Sequence, residues 1–282
     1  MAEQNDMLKF VRISKLVGVA VVASGCMLAG VSAALAAPDC TNNPDVLGTS
    51  RTITVRPTDF PRIGTEQYAE SLRLKNREVV LTFDDGPIPE HSSKVLDALA
   101  AECVKATFFM MGLNVAEAPR LVRRAFDEGH SIGTHTFSHP HLDEMPLEKA
   151  KQDIELGIEA VTEALGKGRS PAPFFRAPYL GINKELEKHL YARGLMVWDI
   201  DVDSLDWSVD APEKVIENTL AVLEKRGKGI LLMHDIKSQT ARAMPVLLSE
   251  LKRRGFRIVH VVPEAGHIPN ASNTSRLAQQ RD

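Results

Sequence analysis

The sequence predicts an α/β fold, a parallel sheet closed as a single (β/α) barrel. Two observations predict it. Seven apolar, strand-like segments alternate with helical stretches between residues 78 and 262. The polar residues capable of chemistry then fall just after those segments, as they do in barrels whose active sites gather at the C-terminal ends of the strands.

The segments are 78–83, 104–110, 131–134, 173–176, 195–200, 229–234 and 256–262. The first, Glu78-Val79-Val80-Leu81-Thr82-Phe83, is a near-continuous apolar run, the pattern of a strand buried on both faces. Helix 146–166 opens at Pro146, puts Leu147, Ile154, Ile158, Val161 and Leu165 on one face, and ends at Gly166. Helix 212–226 opens at Pro212 and faces Val215, Ile216, Thr219, Leu220 and Leu223 inward. Helix 239–254 stops at Gly255, and Pro245 inside it predicts a broken first turn.

The flanks are of different material. Lys9, Arg12 and Lys15 precede an apolar, small-residue run from Leu16 to Val31 that ends in Ala34-Leu35-Ala36, the pattern of a secretory signal peptide cut between Ala36 and Ala37. The alternative is an uncleaved membrane anchor, since the run is only slightly shorter than a spanning helix. Acylation at Cys26 is disfavoured because the residues after it stay apolar. Residues 37–77, punctuated by Asn42-Asn43-Pro44, Arg56-Pro57 and Phe60-Pro61, read as an irregular extension with one short strand at 51–55. The barrel domain spans 78–268, and the polar tail 269–282 reads as disordered.

Composition excludes some functions. With 25% charged residues and a net charge of −3, the 282-residue chain has neither the basic block nor the interleaved aromatics of a nucleic-acid binder. Cys40 and Cys103 remain after signal removal, and export permits a disulfide between them. Cys103 lies in an apolar run, however, where a buried free thiol is the plainer reading.

Five strand ends carry candidates: Asp84-Asp85, His135, Arg176, Asp206-Trp207 and His234-Asp235. In Thr82-Phe83-Asp84-Asp85-Gly86, two carboxylates sit on a turn at the sheet rim. In His135-Thr136-Phe137-Ser138-His139, two imidazoles are spaced to reach one ion. One carboxylate and two histidines make an open catalytic zinc-type site, with the second carboxylate free to act as a base. Pro140 disfavours helical geometry at His139, which places both histidines on a loop or single turn. His141 is the other histidine near enough in sequence to be a stray ligand.

These runs, with Arg176-Ala177-Pro178-Tyr179, Asp203-Ser204-Leu205-Asp206-Trp207 and Leu232-Met233-His234, give all five motifs of the polysaccharide deacetylases in order, so the chain resembles carbohydrate esterase family four, the NodB-homology domain. The resemblance covers residues 78–262 and implies a distorted (β/α)7 barrel that removes acetyl groups from sugar polymers with a divalent metal. It implies Asp84 as general base and Asp85, His135 and His139 as metal ligands. It makes His234 the general acid held by Asp206, and pairs Arg176 with Asp84. The Tyr179 backbone N–H would help bind the oxyanion, and Trp207 and Leu232 would line the pocket for the acetyl methyl group.

The expected activity is removal of N-acetyl groups from N-acetylglucosamine-containing glycans: chitooligosaccharide, peptidoglycan or exopolysaccharide. The alternatives are an O-acetyl esterase on a polymer such as acetylxylan, or a catalytically silent glycan-binding protein. Zinc is the first-choice metal, with Co2+, Ni2+ or Mn2+ able to replace it. The expected location is periplasmic or extracellular, with no stable membrane insertion after signal cleavage.

Overall fold

In chain order the computed structural model, which describes residue 40 and residues 43–265, builds its elements around parallel strands. They are β1 (Thr49–Val55), β2 (Arg62–Ile63), β3 (Glu78–Asp84), α1 (Pro89–Ala101), β4 (Thr107–Met110), α2 (Gly112–Glu117), α3 (Pro119–Asp127), β5 (Ser131–Thr134), α4 (Leu147–Leu165), β6 (Phe174–Phe175), α5 (Lys184–Ala192), β7 (Met196–Trp198), β8 (Val202–Asp203), α6 (Pro212–Arg226), β9 (Gly229–His234), α7 (Ser238–Arg253) and β10 (Arg257–Pro263). The segments read as signal peptide and disordered tail lie outside the described residues. Among the described residues no helix is long and apolar enough to cross a membrane.

Every ladder is parallel. Strands β3 to β7 pair in sequence order, and β9 joins β3 to β8. That is a ring of seven strands with one seam, because no ladder joins β7 to β8 among the described residues. The segment read at 195–200 supplies β7 alone; the seventh ring strand, β8, follows it at Val202–Asp203 and was not among the segments read. The segment read at 256–262, β10, is not in the ring; it pairs with the start of β3 at Arg257–Glu78 and Ile258–Val79.

The strand expected at 51–55 is present as β1, and the extension carries a second, β2, so it is less irregular than its sequence suggests. β1 lies parallel to β10 from Thr49 to Val55, and β2 pairs with β7. Residues 64–71 close the seam through two carboxylates. Asp199 accepts the Gln67 N–H at 2.6 Å, and Asp201 accepts the Thr65 N–H, the Thr65 hydroxyl and the Ser71 hydroxyl at 2.7–2.9 Å. Asp201, whose Oδ2 also accepts the Ile230 N–H at 2.9 Å, is engaged at both oxygens and holds the loop as a ladder would. Cys40 and Cys103 are bridged, contrary to the free-thiol reading. They lie 63 residues apart, and closing a loop of that length is worth about 4 kcal/mol in the chain-entropy treatment.

Strand alternation divides the core. Val79, Leu81 and Phe83 pack toward the helices, with Leu247, Leu248 and Leu251 of α7 among their cluster. Val80 turns into the ring with Phe109, Phe174, Trp198 and Ile230. Thr82 and Asp84 follow Val80 on that inner face, so the period of two aims one of the paired aspartates at the barrel axis. Helices α1, α3 and α6 open on proline, where the missing N–H costs nothing. Pro245 does not break α7: the first turn is intact, with the Ala241 N–H bonded to the Lys237 carbonyl at 3.0 Å. A helix-interior proline costs about 3 kcal/mol, and burial of Met244, Leu247, Leu248 and Leu251 around it outweighs that.

Candidate active site

The rim at the C-terminal ends of the ring strands carries a cleft of about 520 Å³. It is lined by Asp84, Asp85, His135, His139, Tyr179, Trp207, Leu232 and His234. Arg176 and Asp206 lie fully buried beneath it, so all ten residues singled out in the sequence meet at one place. Register does much of this. Asp84 and His234 are ladder partners across β3 and β9, and Leu232 pairs with both Thr82 and Asp203.

Asp85 follows β3 in the left-handed region, at φ 75°, which swings its side chain away from the direction Asp84 takes. Its N–H donates to the Phe109 carbonyl at 3.1 Å and its carbonyl accepts from the Asn114 amide at 2.8 Å. Gly86 completes the turn because a Cβ there would meet the Asp235 carboxylate at 2.2 Å. His135 and His139 come from the loop after β5, where Thr136 and His139 are also left-handed, at φ 63° and 60°. This is the non-helical loop that Pro140 predicts. Asp153 of α4 pins it, accepting from the N–H groups of Phe137 and Ser138 and from the Ser138 hydroxyl at 2.7–3.0 Å. Sequence reading missed Asp153; the available signal was an aspartate one turn before Gly157, whose bare Cα lets α4 approach the Thr136 carbonyl.

Oδ1 of Asp85 lies 3.4 Å from Nε2 of His135 and 3.2 Å from Nε2 of His139. One ligand atom from each residue falls within 4.8 Å of the others. Two features fit this set to a cation. Asp85 Oδ1 is buried without a hydrogen-bond partner among the described residues. His135 Nδ1 lies 2.7 Å from the Arg176 carbonyl, which can only accept; the proton is therefore on Nδ1, and the Nε2 lone pair faces Asp85. Burial pushes the Asp85 carboxyl up, but the two imidazoles beside it outweigh that and hold the group well below the usual carboxylate range. His141 is not a fourth member: its ring stacks on Tyr179 at 3.8 Å between centroids.

Asp84 and His234 are held from below. Arg176 donates to Asp84 Oδ1 at 2.7 Å and to the Thr82 hydroxyl at 2.8 Å, while its guanidinium lies 4.3 Å from the centre of the Phe109 ring. Asp206 accepts from His234 Nδ1 and from the His234 N–H, both at 2.7 Å, and from the Thr240 hydroxyl at 2.5 Å. Burial pulls the His234 imidazole down, but the Asp206 bond and charge, with Asp84 and Asp85 adding, raise it to about 9. Tyr179 stands at φ 55° and is 61% exposed, and no acceptor for its N–H is found among the described residues. The Trp207 indole N–H donates to Asp203 at 3.2 Å, leaving its face open to the cleft.

Known proteins carry the same arrangement of sequence and fold. Residues 72–198 match the family model described as polysaccharide deacetylase. A chitooligosaccharide deacetylase of Bradyrhizobium is 33% identical over 202 residues, which span 67% of this chain and 90% of the relative. The chain belongs to the polysaccharide deacetylase family. A peptidoglycan deacetylase of Bdellovibrio bacteriovorus superposes with a TM-score of 0.70 at 28% identity, covering 82% of this chain and 64% of that one. The peptidoglycan-N-acetylglucosamine deacetylase of Listeria monocytogenes is 34% identical over 186 residues; the match takes in 66% of this chain and only 38% of the relative's length.

Proposed function

We propose that this polysaccharide deacetylase family member hydrolyses N-acetyl groups from N-acetylglucosamine-containing glycans, with Asp84 as base and His234 as acid. The observation that carries the reading is the flanking of the Asp85, His135 and His139 triad by two separately anchored groups, a carboxylate on Arg176 and an imidazole on Asp206. The names of the Bradyrhizobium and Listeria relatives support the substrate class.

Asp85, His135 and His139 would hold the metal, and one carboxylate with two imidazoles suits zinc, with Co2+, Ni2+ or Mn2+ as replacements. Bound there, the cation supplies Lewis acidity, acidifying water and polarising the acetyl carbonyl. Arg176 occupies Asp84 Oδ1, so Oδ2 takes the proton from the attacking water. Attack on the acetyl carbon builds negative charge on its oxygen, toward which the Tyr179 N–H donates. The C–N bond then breaks, and the sugar nitrogen leaves as an amine only if it receives a proton. With Nδ1 engaged by Asp206, His234 delivers that proton from Nε2, and a raised pKa keeps it charged at neutral pH. Leu232 and Trp207 enclose the methyl group. The products are acetate and the free amine on the sugar.

The assigned export of residues 37–282 to the periplasm or exterior, after cleavage of a signal peptide at Ala36, belongs to this proposal. The Cys40–Cys103 bridge supports it, because disulfides persist in oxidising compartments. Acetate release from tetra-N-acetylchitotetraose tests the whole reading. Activity should vanish on chelation and return with zinc. No release from the zinc-loaded protein, on this probe or on peptidoglycan strands, would refute it; release from acetylxylan alone would reassign it as an O-acetyl esterase.

A further inference from the structure

We propose that Lys237 makes this cleft selective for glycans carrying a carboxylate beside the sugar that is deacetylated, an inference that rests on the deacetylase reading. Lys237 lies three residues beyond His234, immediately before α7, and lines the cleft with His234 and Trp207. Its backbone is fixed at both ends: its N–H donates to the His234 carbonyl at 3.2 Å, and its carbonyl accepts the Ala241 N–H at 3.0 Å. The side chain is committed to nothing, since the ammonium makes no hydrogen bond or ion pair among the described residues.

That freedom is unexpected among so many carboxylates. Asp84, Asp85 and Asp203 line the same cleft, yet each is engaged elsewhere. Asp84 is paired with Arg176, Asp85 faces two histidines, and Asp203 accepts from the Leu205 N–H at 2.8 Å and from Trp207. Histidines apart, Lys237 is the one basic side chain lining the cleft among the described residues. A neutral sugar has no need of it: the exposed faces of Tyr179 and Trp207 already offer stacking surfaces. A carboxylate beside the reacting sugar would find in Lys237 a cation with no partner to give up, whereas a neutral sugar gains no charge pairing from it, so the unpaired ammonium discriminates between the two. The ligand class is a carboxylate-bearing hexosamine or uronic acid linked to the reacting N-acetylglucosamine.

The test compares kcat/KM on two probes, tetra-N-acetylchitotetraose and a peptide-free tetrasaccharide alternating N-acetylglucosamine with N-acetylmuramic acid. Lys237→Gln should lower the acidic-to-neutral ratio about fivefold, chiefly through KM, and Lys237→Glu by more than about tenfold. Lys237→Arg should keep the ratio within about twofold, and 0.5 M salt should pull the wild-type ratio toward that of the Gln variant. Ratios in the Gln and Glu variants within about twofold of wild type would overturn the assignment while leaving the deacetylase reading intact. Acetate from neither probe with the wild-type protein would overturn both.

Discussion

The two halves of the cleft are built on opposite principles. Asp84 and His234 stand on adjacent strand ends, and each is held by a fully buried partner whose hydrogen-bonding capacity is largely used. Asp85, His135 and His139 stand on loops, three of whose residues are left-handed without being glycine, and they present bare acceptor atoms to one another. A non-glycine residue held at positive φ costs on the order of 1–3 kcal/mol and persists only where its surroundings impose it. One half is complete as folded; the other is shaped for something from outside the chain. Stability should therefore reside in the first half and activity should be most exposed in the second.

The largest expected effect is on the loop side. His135→Ala with His139→Ala should lower kcat/KM roughly a thousandfold and abolish metal content by elemental analysis, with little change in thermal midpoint. A full metal equivalent in that double variant would break the comparison at its base. Arg176→Met should do the reverse, leaving a buried carboxylate unpaired and lowering the denaturant-unfolding free energy by about 4 kcal/mol. An Arg176→Met protein as stable as the wild type would show that the strand side carries no such load.

Asp206→Asn sharpens the comparison because it touches both stability and activity. The folded His234 titrates near 9 against an ordinary 6.5, so the Asp206 partnership stabilises fully below pH 6.5 and is lost as pH rises through 9. The variant should remove about 3 kcal/mol at pH 6, less at pH 9.5, and move the basic limb of the pH–rate profile from near 9 toward 6.5. An unmoved limb would show that Asp206 does not tune His234. The smallest effect is expected from Asp153→Ala, which touches no ligand. By releasing the 136–139 loop it should weaken metal affinity about tenfold, read by competition with a chelator.

The sequence made the site more legible than the fold around it. Strand ends are readable because buried parallel strands are apolar runs that stop abruptly at polar residues, and all ten singled-out side chains meet where those stops converge. Asp153 escaped because it sits in a helix, where a charge ordinarily means only a solvated face, and Lys237 because a lone lysine just ahead of a helix carries the same plain reading. β1 was legible as the short strand at 51–55, but its partner was not, because β10 lies some two hundred residues on; β2 has only two residues and leaves no local period. The seam between β7 and β8 is invisible for the same cause: it is closed by aspartates accepting from a distant loop, not by a ladder. The broken first turn read from Pro245 failed because a local propensity was weighed without the apolar residues that surround it in α7.

The position of β1 bears on how this molecule behaves in a crowded solution. Among the described residues it pairs with β10 alone, leaving a row of backbone donors and acceptors open along seven residues, the kind of template on which a second chain can add a strand and begin to aggregate. Its sequence counters that hazard. Ser50, Thr52 and Thr54 make its exposed face polar, so a docking strand would meet little apolar surface there, and Arg51 is drawn back over β10 to the Glu78 carboxylate of β3 at 2.7 Å. Pro57, two residues past the end of the strand, has no N–H to extend the ladder. A barrel that leaves one edge unpaired thus presents there a polar face and a strand that proline stops from lengthening.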